Sequence, residues 1–412
     1  MSTSALQSRV DLRIYDIEIE DQGAIGSCTA NATCSAIELM MSRAHDQVDL
    51  SRLFLYYETR ALEDRIGKDG AIPVDAFKAG FNVGIPEESL WDYNIGNTDT
   101  QPSNASYANA ATQKITSFHS VGLDPDSTQV TTQNIKAELS KGLPVTVAFR
   151  AYEWMLHISG PMDSHDIINT SIPGYANFIG NHEVVIVGYD DALNGGSFII
   201  ENSWGTAWGE NGYGAFSYTL SNTFYEAYVI DGFAGHDFAW TTARTQVAEL
   251  YAALFGRAPE RDGMAYWAAQ LDVGKAFTQV AQEMYSVDAA RAWYPSGASN
   301  EKIIDTFYVN VLGRNADADG LAYWLAQLNA GHSQGQVMTE LITAVDSYTG
   351  SNSAALASQL LFDNKVAVGL HYAVTLEANR LDVAATAFDG MTTDVNQVEL
   401  IKIGLSEQLG WL

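Results

Sequence analysis

Cysteine is almost absent from this chain: Cys28 and Cys34 are the only two in 412 residues. Two cysteines six residues apart cannot make a disulfide framework, and on one helix their side chains diverge. Basic residues are scarce too, with 22 Lys and Arg against 50 Asp and Glu, for a net charge of −28. Such a surface repels nucleic acid and anionic membranes, so neither is expected as a partner. No apolar run approaches the roughly 18 residues of a membrane span, which excludes membrane insertion by a helix. The opening stretch MSTSALQSRVDLRIYDIEIE has no basic cluster followed by an apolar segment, so a Sec signal peptide is not expected. What is present, 47% hydrophobic and 17% charged residues, is a globular composition, long enough for two or more domains.

Two textures divide the chain. Up to about residue 235, NATCSAIELMMSRA, SRLFLYYETRALEDRIG and TTQNIKAELSKG carry apolar residues at helical spacing. In the last of these, Ile135 and Leu139 share a face and Gly142 is placed to end the helix. NHEVVIVGYDD and GSFIIENSW are β-branched runs bounded by Gly, Asn and Asp, and read as strands. Helices early and strands late predict an α+β domain with a cleft between its halves. Beyond residue 240 the pattern is helical and repeats: YAALFGRAPERDGMAYWAAQL (251–271) returns as YVNVLGRNADADGLAYWLAQL (308–328), an offset of 57 (308 − 251). Each unit reads as a helix ending at Gly-Arg, then an Asp-Gly turn opening an aromatic-rich helix. The expected organisation is a domain over 1–235, the repeats over 236–350 and a helical tail over 351–412.

The stretch DQGAIGSCTANATCSAIE (21–38) carries both cysteines. Ser27 is the expected N-cap of a helix starting at Cys28. A thiol in that first turn meets the positive end of the helix dipole and free N–H groups, which favour the nucleophilic thiolate. Gln22 is placed to donate its amide to a developing oxyanion together with the Cys28 N–H. A thiolate needs a base, and His182, at the head of an apolar strand, supplies one. Asn202, after the next strand, can orient the imidazole, with Trp204 and Trp208 covering that bond from water. Cys34 has no such company and is expected to be packing.

These motifs, DQG…GSC, Asn-His before VVIVGY, and ENSWGTAWGENGYG, resemble the papain family of cysteine peptidases over roughly residues 10–235. The resemblance implies a helical lobe bearing Cys28, facing a β-barrel-like lobe bearing His182 and Asn202. Gln22 is then the oxyanion-hole glutamine, Cys28 the nucleophile, His182 the general acid/base and Asn202 its orienter. Gly70 and Ala71, in KDGAIPVDAF, fall where the family places a glycine-rich strand that pairs with substrate. Thr29, Ala30 and Asn31 after the cysteine look like bacterial members. Only 21 residues precede Gln22, so the family's long propeptide is expected to be missing.

The remaining histidines, His45, His119, His157, His165, His236, His332 and His371, have no partners at metal spacing, and no metal or organic cofactor is expected. RNADADGLAYW lacks the Glu of a calcium loop, since Ala326 stands there. The paired aromatics Tyr266-Trp267 and Tyr323-Trp324 are expected in the core rather than as a carbohydrate platform. The repeated GR…D..G..YW pattern resembles a helical domain of unknown function found in bacterial surface, repeats-in-toxin and type I-secreted proteins. The expectation is therefore a secreted endopeptidase acting on protein or peptide, exported without a leader by a type I route. Residues 240–412 are expected to contact a cell surface or the export machinery. Three alternatives stand beside it: a cytoplasmic enzyme, an acyl-transferring transpeptidase or amidase on the same fold, and a surface-binding protein whose repeats carry the main function.

Overall fold

A computed structural model describes the chain apart from residues 1–5, 16, 45, 123–130, 159–166, 169–176 and 411–412. His45 and His165 therefore lie outside the described residues, as does the side chain of His157. Contacts divide the chain between Ala239 and Trp240.

In the first unit the helices are α1 (Cys28–Arg43), α2 (Arg52–Leu62), α3 (Pro73–Asn82), α4 (Asn104–Ala110) and α5 (Thr132–Lys141). The strands are β1 (Arg9–Asp11), β2 (Ile115–Ser120), β3 (Val145–Tyr152), β4 (Ile167–Ile168), β5 (Phe178–Asp190), β6 (Ser197–Glu201), β7 (Tyr213–Ser217), β8 (Phe224–Phe233) and β9 (His236–Asp237). They form one sheet in the order β2-β8-β3-β5-β6-β7-β4, with β1 added to β5 and β9 to β8. The resemblance implied a barrel-like lobe; among the described residues the two ends of this path do not pair, and the sheet is open.

Helix α1 packs on β5, β3 and β8 on one side and on α2 and α3 on the other. It is covered all round, so even its polar residues Thr29, Asn31, Thr33, Ser35 and Glu38 are buried. Glu38 is tied to α2 by Arg52, whose Nη2 donates to Oε2 at 2.6 Å and whose Nη1 donates to Oε1 at 3.1 Å. Helix α5 ends at Gly142 in the left-handed region, φ 88°, as its sequence predicts.

The second unit is all-helical: α6 (Thr242–Phe255), α7 (Arg261–Asp272), α8 (Phe277–Ser286), α9 (Asn300–Leu312), α10 (Ala318–Asn329), α11 (Gln334–Asp346), α12 (Ser353–Leu370), α13 (Leu381–Thr386) and α14 (Val395–Gln408). Each repeat is thus three helices long. Gly256 and Gly313 close α6 and α9 with φ of 60° and 68°. The Asp-Gly pairs, expected as turns, instead lie in the first turns of α7 and α10. A Cβ there would crowd the tyrosine hydroxyl of the preceding helix, Tyr251 at Gly263 and Tyr308 at Gly320. The aromatic pairs split: Trp324 is buried, but Tyr266 and Tyr323 are 59% and 56% exposed. Helix α12 packs against α6 and α9, so residues from 353 on share the core of the repeats. No helix of the described residues is long and apolar enough to cross a membrane.

Candidate active site

Helix α1 starts at Cys28, which leaves this thiol half-buried at the helix N-terminus while Cys34, deeper in α1, is wholly buried; both are free. Ser27 does not cap the helix as expected. Its side chain accepts no backbone N–H of the first turn and instead meets Tyr93 Oη at 2.5 Å and accepts from Asn31 Nδ2 at 3.0 Å. The first-turn N–H groups of Cys28 and Thr29, with that of Glu183, pull the thiol downward, but burial and the Glu183 charge win and push it up to about 12. The helix start therefore does not by itself make a thiolate.

His182 lies within β5 rather than at its head, since the strand begins at Phe178, and it sits opposite Phe149 of β3. Asn202 follows β6, which pairs antiparallel with β5 and so returns the chain beside the imidazole. His182 Nε2 and Asn202 Oδ1 are 2.7 Å apart. The same Oδ1 accepts the Ser203 N–H at 2.9 Å, which fixes the oxygen end of the amide toward the ring. Nε2 must then be the protonated nitrogen, and Nδ1 keeps the lone pair. Trp204 stacks on the imidazole with centroids 4.8 Å apart, and Trp208 meets Trp204 edge-on while its Nε1 donates to Met155 O at 2.8 Å. Burial under these rings lowers His182 to about 4, against the opposing pull of Asn202.

Gln22 is held at every polar atom that can be tied without blocking it. Its N–H donates to Ser203 O at 2.8 Å, and its carbonyl accepts Tyr93 Oη at 3.1 Å. In the side chain, Oε1 accepts from Ser203 Oγ at 2.7 Å and Nε2 donates to Ile25 O at 2.9 Å. One Nε2 hydrogen is left over.

Gln22, Cys28, His182 and Trp204 line a single open cleft of about 470 Å³, together with Gly70, Ala71, Arg65, Asp69 and Asn181. Trp208 and Asn202 stand behind it. Gly70 and Ala71 lie in the loop between α2 and α3, not in a strand. That loop is pinned by Asp69 Oδ1, which accepts the Gly26 N–H at 2.7 Å and Tyr56 Oη at 2.8 Å, while the Gly70 N–H donates to Tyr56 Oη at 2.9 Å. Ser203 lies within the ENSWG motif and Asp69 beside Gly70, but neither shows its role in the sequence, and Tyr56 carries no signal there at all. Among the described residues no three His, Cys, Asp or Glu side chains gather as metal ligands.

A family model described as "Papain family cysteine protease" matches residues 6–227, and one for a domain of unknown function, DUF4214, matches residues 281–345. An uncharacterised peptidase C1-like protein of Acanthamoeba polyphaga mimivirus is 32% identical over 201 residues, 47% of this chain and 62% of that protein. Mouse pro-cathepsin H is 30% identical over 210 residues, 47% of this chain and 54% of that protein. The chain thus spans less than two thirds of these relatives. Among solved structures, xylellain, a cysteine protease from Xylella fastidiosa, is 31% identical and covers 55% of this chain and 86% of its own, with a TM-score of 0.47.

Proposed function

The chain belongs to the papain family of cysteine proteases, and on that footing we propose that it hydrolyses peptide bonds of a protein or peptide substrate through an acyl-enzyme on Cys28. The observation that carries the reading is the contact of His182 Nε2 with Asn202 Oδ1 at 2.7 Å, an oxygen that can only accept, which assigns the hydrogen to Nε2 and reserves Nδ1 as the base.

Burial holds the Cys28 thiol and the His182 imidazole neutral. Proton transfer from sulfur to Nδ1 therefore accompanies attack on the scissile carbonyl. Opposite charges about 4 Å apart at an effective dielectric near 20 attract by about 4 kcal/mol, which offsets part of the cost of creating both in a buried site. The remaining Gln22 Nε2 hydrogen and the Cys28 N–H receive the oxyanion. The imidazolium then protonates the leaving amine, and the neutral ring activates water to release the acid.

Intact-mass labelling with a peptidyl epoxide tests the reading on wild type, Cys28→Ala and His182→Ala. One adduct on wild type, none on Cys28→Ala and labelling of His182→Ala slower by about 10²-fold or more support it. An unlabelled wild type overturns it. Product analysis with added amines separates hydrolysis from acyl transfer: a dominant amide product replaces the hydrolase reading.

We also propose that residues 240–412 serve export by a type I route and contact with the cell surface. The DUF4214 match and the acidic, cysteine-poor chain support this. Because α12 shares the core of the repeats, truncation alone would confuse export with unfolding. Fusing residues 240–412 to a carrier and finding no secretion through a type I transporter counts against the route.

A further inference from the structure

Tyr266 and Tyr323 stand at the same place in the two repeats, and both are more than half exposed. Each packs nearly at right angles to the tryptophan that follows it, with centroids 4.9 Å apart at 79° for Tyr266-Trp267 and 4.8 Å at 82° for Tyr323-Trp324. The tryptophans are themselves tied inward: Trp324 Nε1 donates to Tyr308 Oη at 3.2 Å, and Trp267 makes the matching bond to Tyr251. The outer ring is thus braced before any ligand arrives, and little side-chain freedom is lost on binding.

Along α7, Asp262 lies four residues before Tyr266, Ala269 three after and Gln270 four after, all on the face of the ring. Helix α10 presents Asp319, Tyr323, Ala326 and Gln327 at the same spacing. The identity is confined to the surroundings of the ring. Arg261 and Asp272, at the ends of α7, become Ala318 and Asn329, and core-facing Met264 and Ala268 become Leu321 and Leu325. Packing constrains residues that face a core and leaves exposed ones free, so it does not account for this pattern. The helix start explains an Asp in each first turn, and helix propensity the Ala and Gln, but neither explains the tyrosine. One exposed tyrosine needs no reason; the same ring beside the same carboxylate and carboxamide, built twice, does.

The set is small, which bears on the ligand. A stable protein interface buries about 800 Å² on each partner, but the next exposed apolar residue along the face, Val273, is Ala330 in the second copy. Acidic polymers are repelled by a chain of net charge −28. A cation is not selected either, because Asp262 already accepts from Arg261 Nε at 3.2 Å and from Asn379 Nδ2 at 2.7 Å. What both copies fit is a neutral ligand with an apolar face for the ring and hydroxyls for the Asp and Gln. A sugar has both: its C–H face stacks on the π-system, and its hydroxyls donate and accept at the rim.

We propose that Tyr266 and Tyr323 are the platforms of two equivalent sites for a neutral glycan, each stacking one pyranose ring while the flanking Asp and Gln hold its hydroxyls. The inference deepens the surface-contact reading of residues 240–412 and rests on it for where such a glycan is met, but not for the binding itself.

Equilibrium dialysis of the full-length chain against cellohexaose, xylohexaose, mannohexaose and chitohexaose reads the binding, with hexagalacturonate as the anionic control. At least one neutral hexasaccharide should bind at two sites per chain with Kd on the order of 0.1–1 mM, and the anionic control should not bind. Tyr266→Ala and Tyr323→Ala should each remove one site, and the double variant should weaken binding by about tenfold or more. Tyr266→Phe and Tyr323→Phe, which keep the ring, should stay within about threefold of wild type. Tm and epoxide labelling should not change in any variant, because both tyrosines are exposed. No binding of any neutral hexasaccharide overturns the proposal, as does binding that survives the double alanine variant. Adhesion of the full-length chain to whole cells separates the two readings. Adhesion that the double alanine variant retains keeps the surface contact and overturns the glycan sites. Hexasaccharide binding without adhesion keeps the glycan sites and removes the surface contact.

Discussion

Ser203 Oγ donates to Gln22 Oε1 at 2.7 Å across 181 residues of chain, with both side chains buried. The bond turns the carboxamide so that Nε2 faces Ile25 O and keeps one hydrogen free in the cleft. Because Ser203 also presents its N–H to Asn202 Oδ1, one residue positions both the oxyanion donor and the orienter of the base.

Ser203→Ala should therefore lower kcat more than it changes KM. Gln22→Ala, which deletes the donor itself, should cost about 10²–10³ in kcat, and Ser203→Ala a smaller factor, on the order of ten. Steady-state kinetics with one peptide decides it. A Ser203→Ala enzyme indistinguishable from wild type would show that the Gln22 amide needs no such support.

The acid limb of the pH profile follows from His182. With the imidazole held at about 4, the doubly protonated site loses its first proton near that pH or below it, whichever group releases it. The rate of epoxide labelling should stay high down to about pH 4 and fall beneath it. Asn202→Asp places a carboxylate against Nε2, favours the imidazolium and should move the limb upward by about a unit or more. A wild-type midpoint above pH 6 is the outcome this account forbids.

Glu183, next to His182 in β5, makes stability depend on pH. Burial raises its carboxyl from 4.5 to about 8, with Glu226 adding to the rise. The folded chain holds this proton more tightly than the unfolded chain. The resulting stability is complete below about pH 4.5 and is lost as pH rises through about 8. Glu183→Gln, which carries no proton to lose, should melt close to wild type at pH 5 and clearly above it at pH 9. Calorimetry at the two pH values checks this, and equal melting temperatures at pH 9 would contradict it.

Gly26 holds the cleft open at a close approach. A Cβ there would lie 2.9 Å from Gly70 N and 3.0 Å from Asp69 Oδ1, both part of the pinned loop. Gly26→Ala should shift Gly70 and Ala71 outward, raising KM by about tenfold with a smaller loss of kcat, as expected when a positioning contact is displaced. Unchanged KM across several peptides would mean that the loop does not meet substrate.

Much of the helix and strand content was legible because α2, α5, β5 and β6 each carry a local signal, a periodic apolar face or a β-branched run bounded by Gly, Asn or Asp. Where local signals failed, tertiary packing had overruled them. Ser27 looks like an N-cap, but Tyr93 and Asn31 claim its hydroxyl. The Asp-Gly pairs look like turns, but the tyrosine hydroxyls of the preceding helices sit against the glycines inside α7 and α10. Tyr266 and Tyr323 repeat at a fixed offset beside Trp267 and Trp324, yet the tyrosines face outward.

The sequence by itself determined which residue types stand in which order: Gln22, Cys28, His182 and Asn202 in motifs specific enough to mark the family, and a 57-residue helical repeat behind them. Only the tertiary structure decided what those groups are as chemical species. Side-chain identity sets an intrinsic pKa, but burial and neighbours set the working one, and these depend on strands and helices brought together across the whole unit. Thus the thiol expected to ionise at a helix start is held protonated, and Ser203, silent in the motif, orients the glutamine. Glu183, unremarkable within an apolar run, becomes a buried carboxyl that burial holds protonated up to about pH 8.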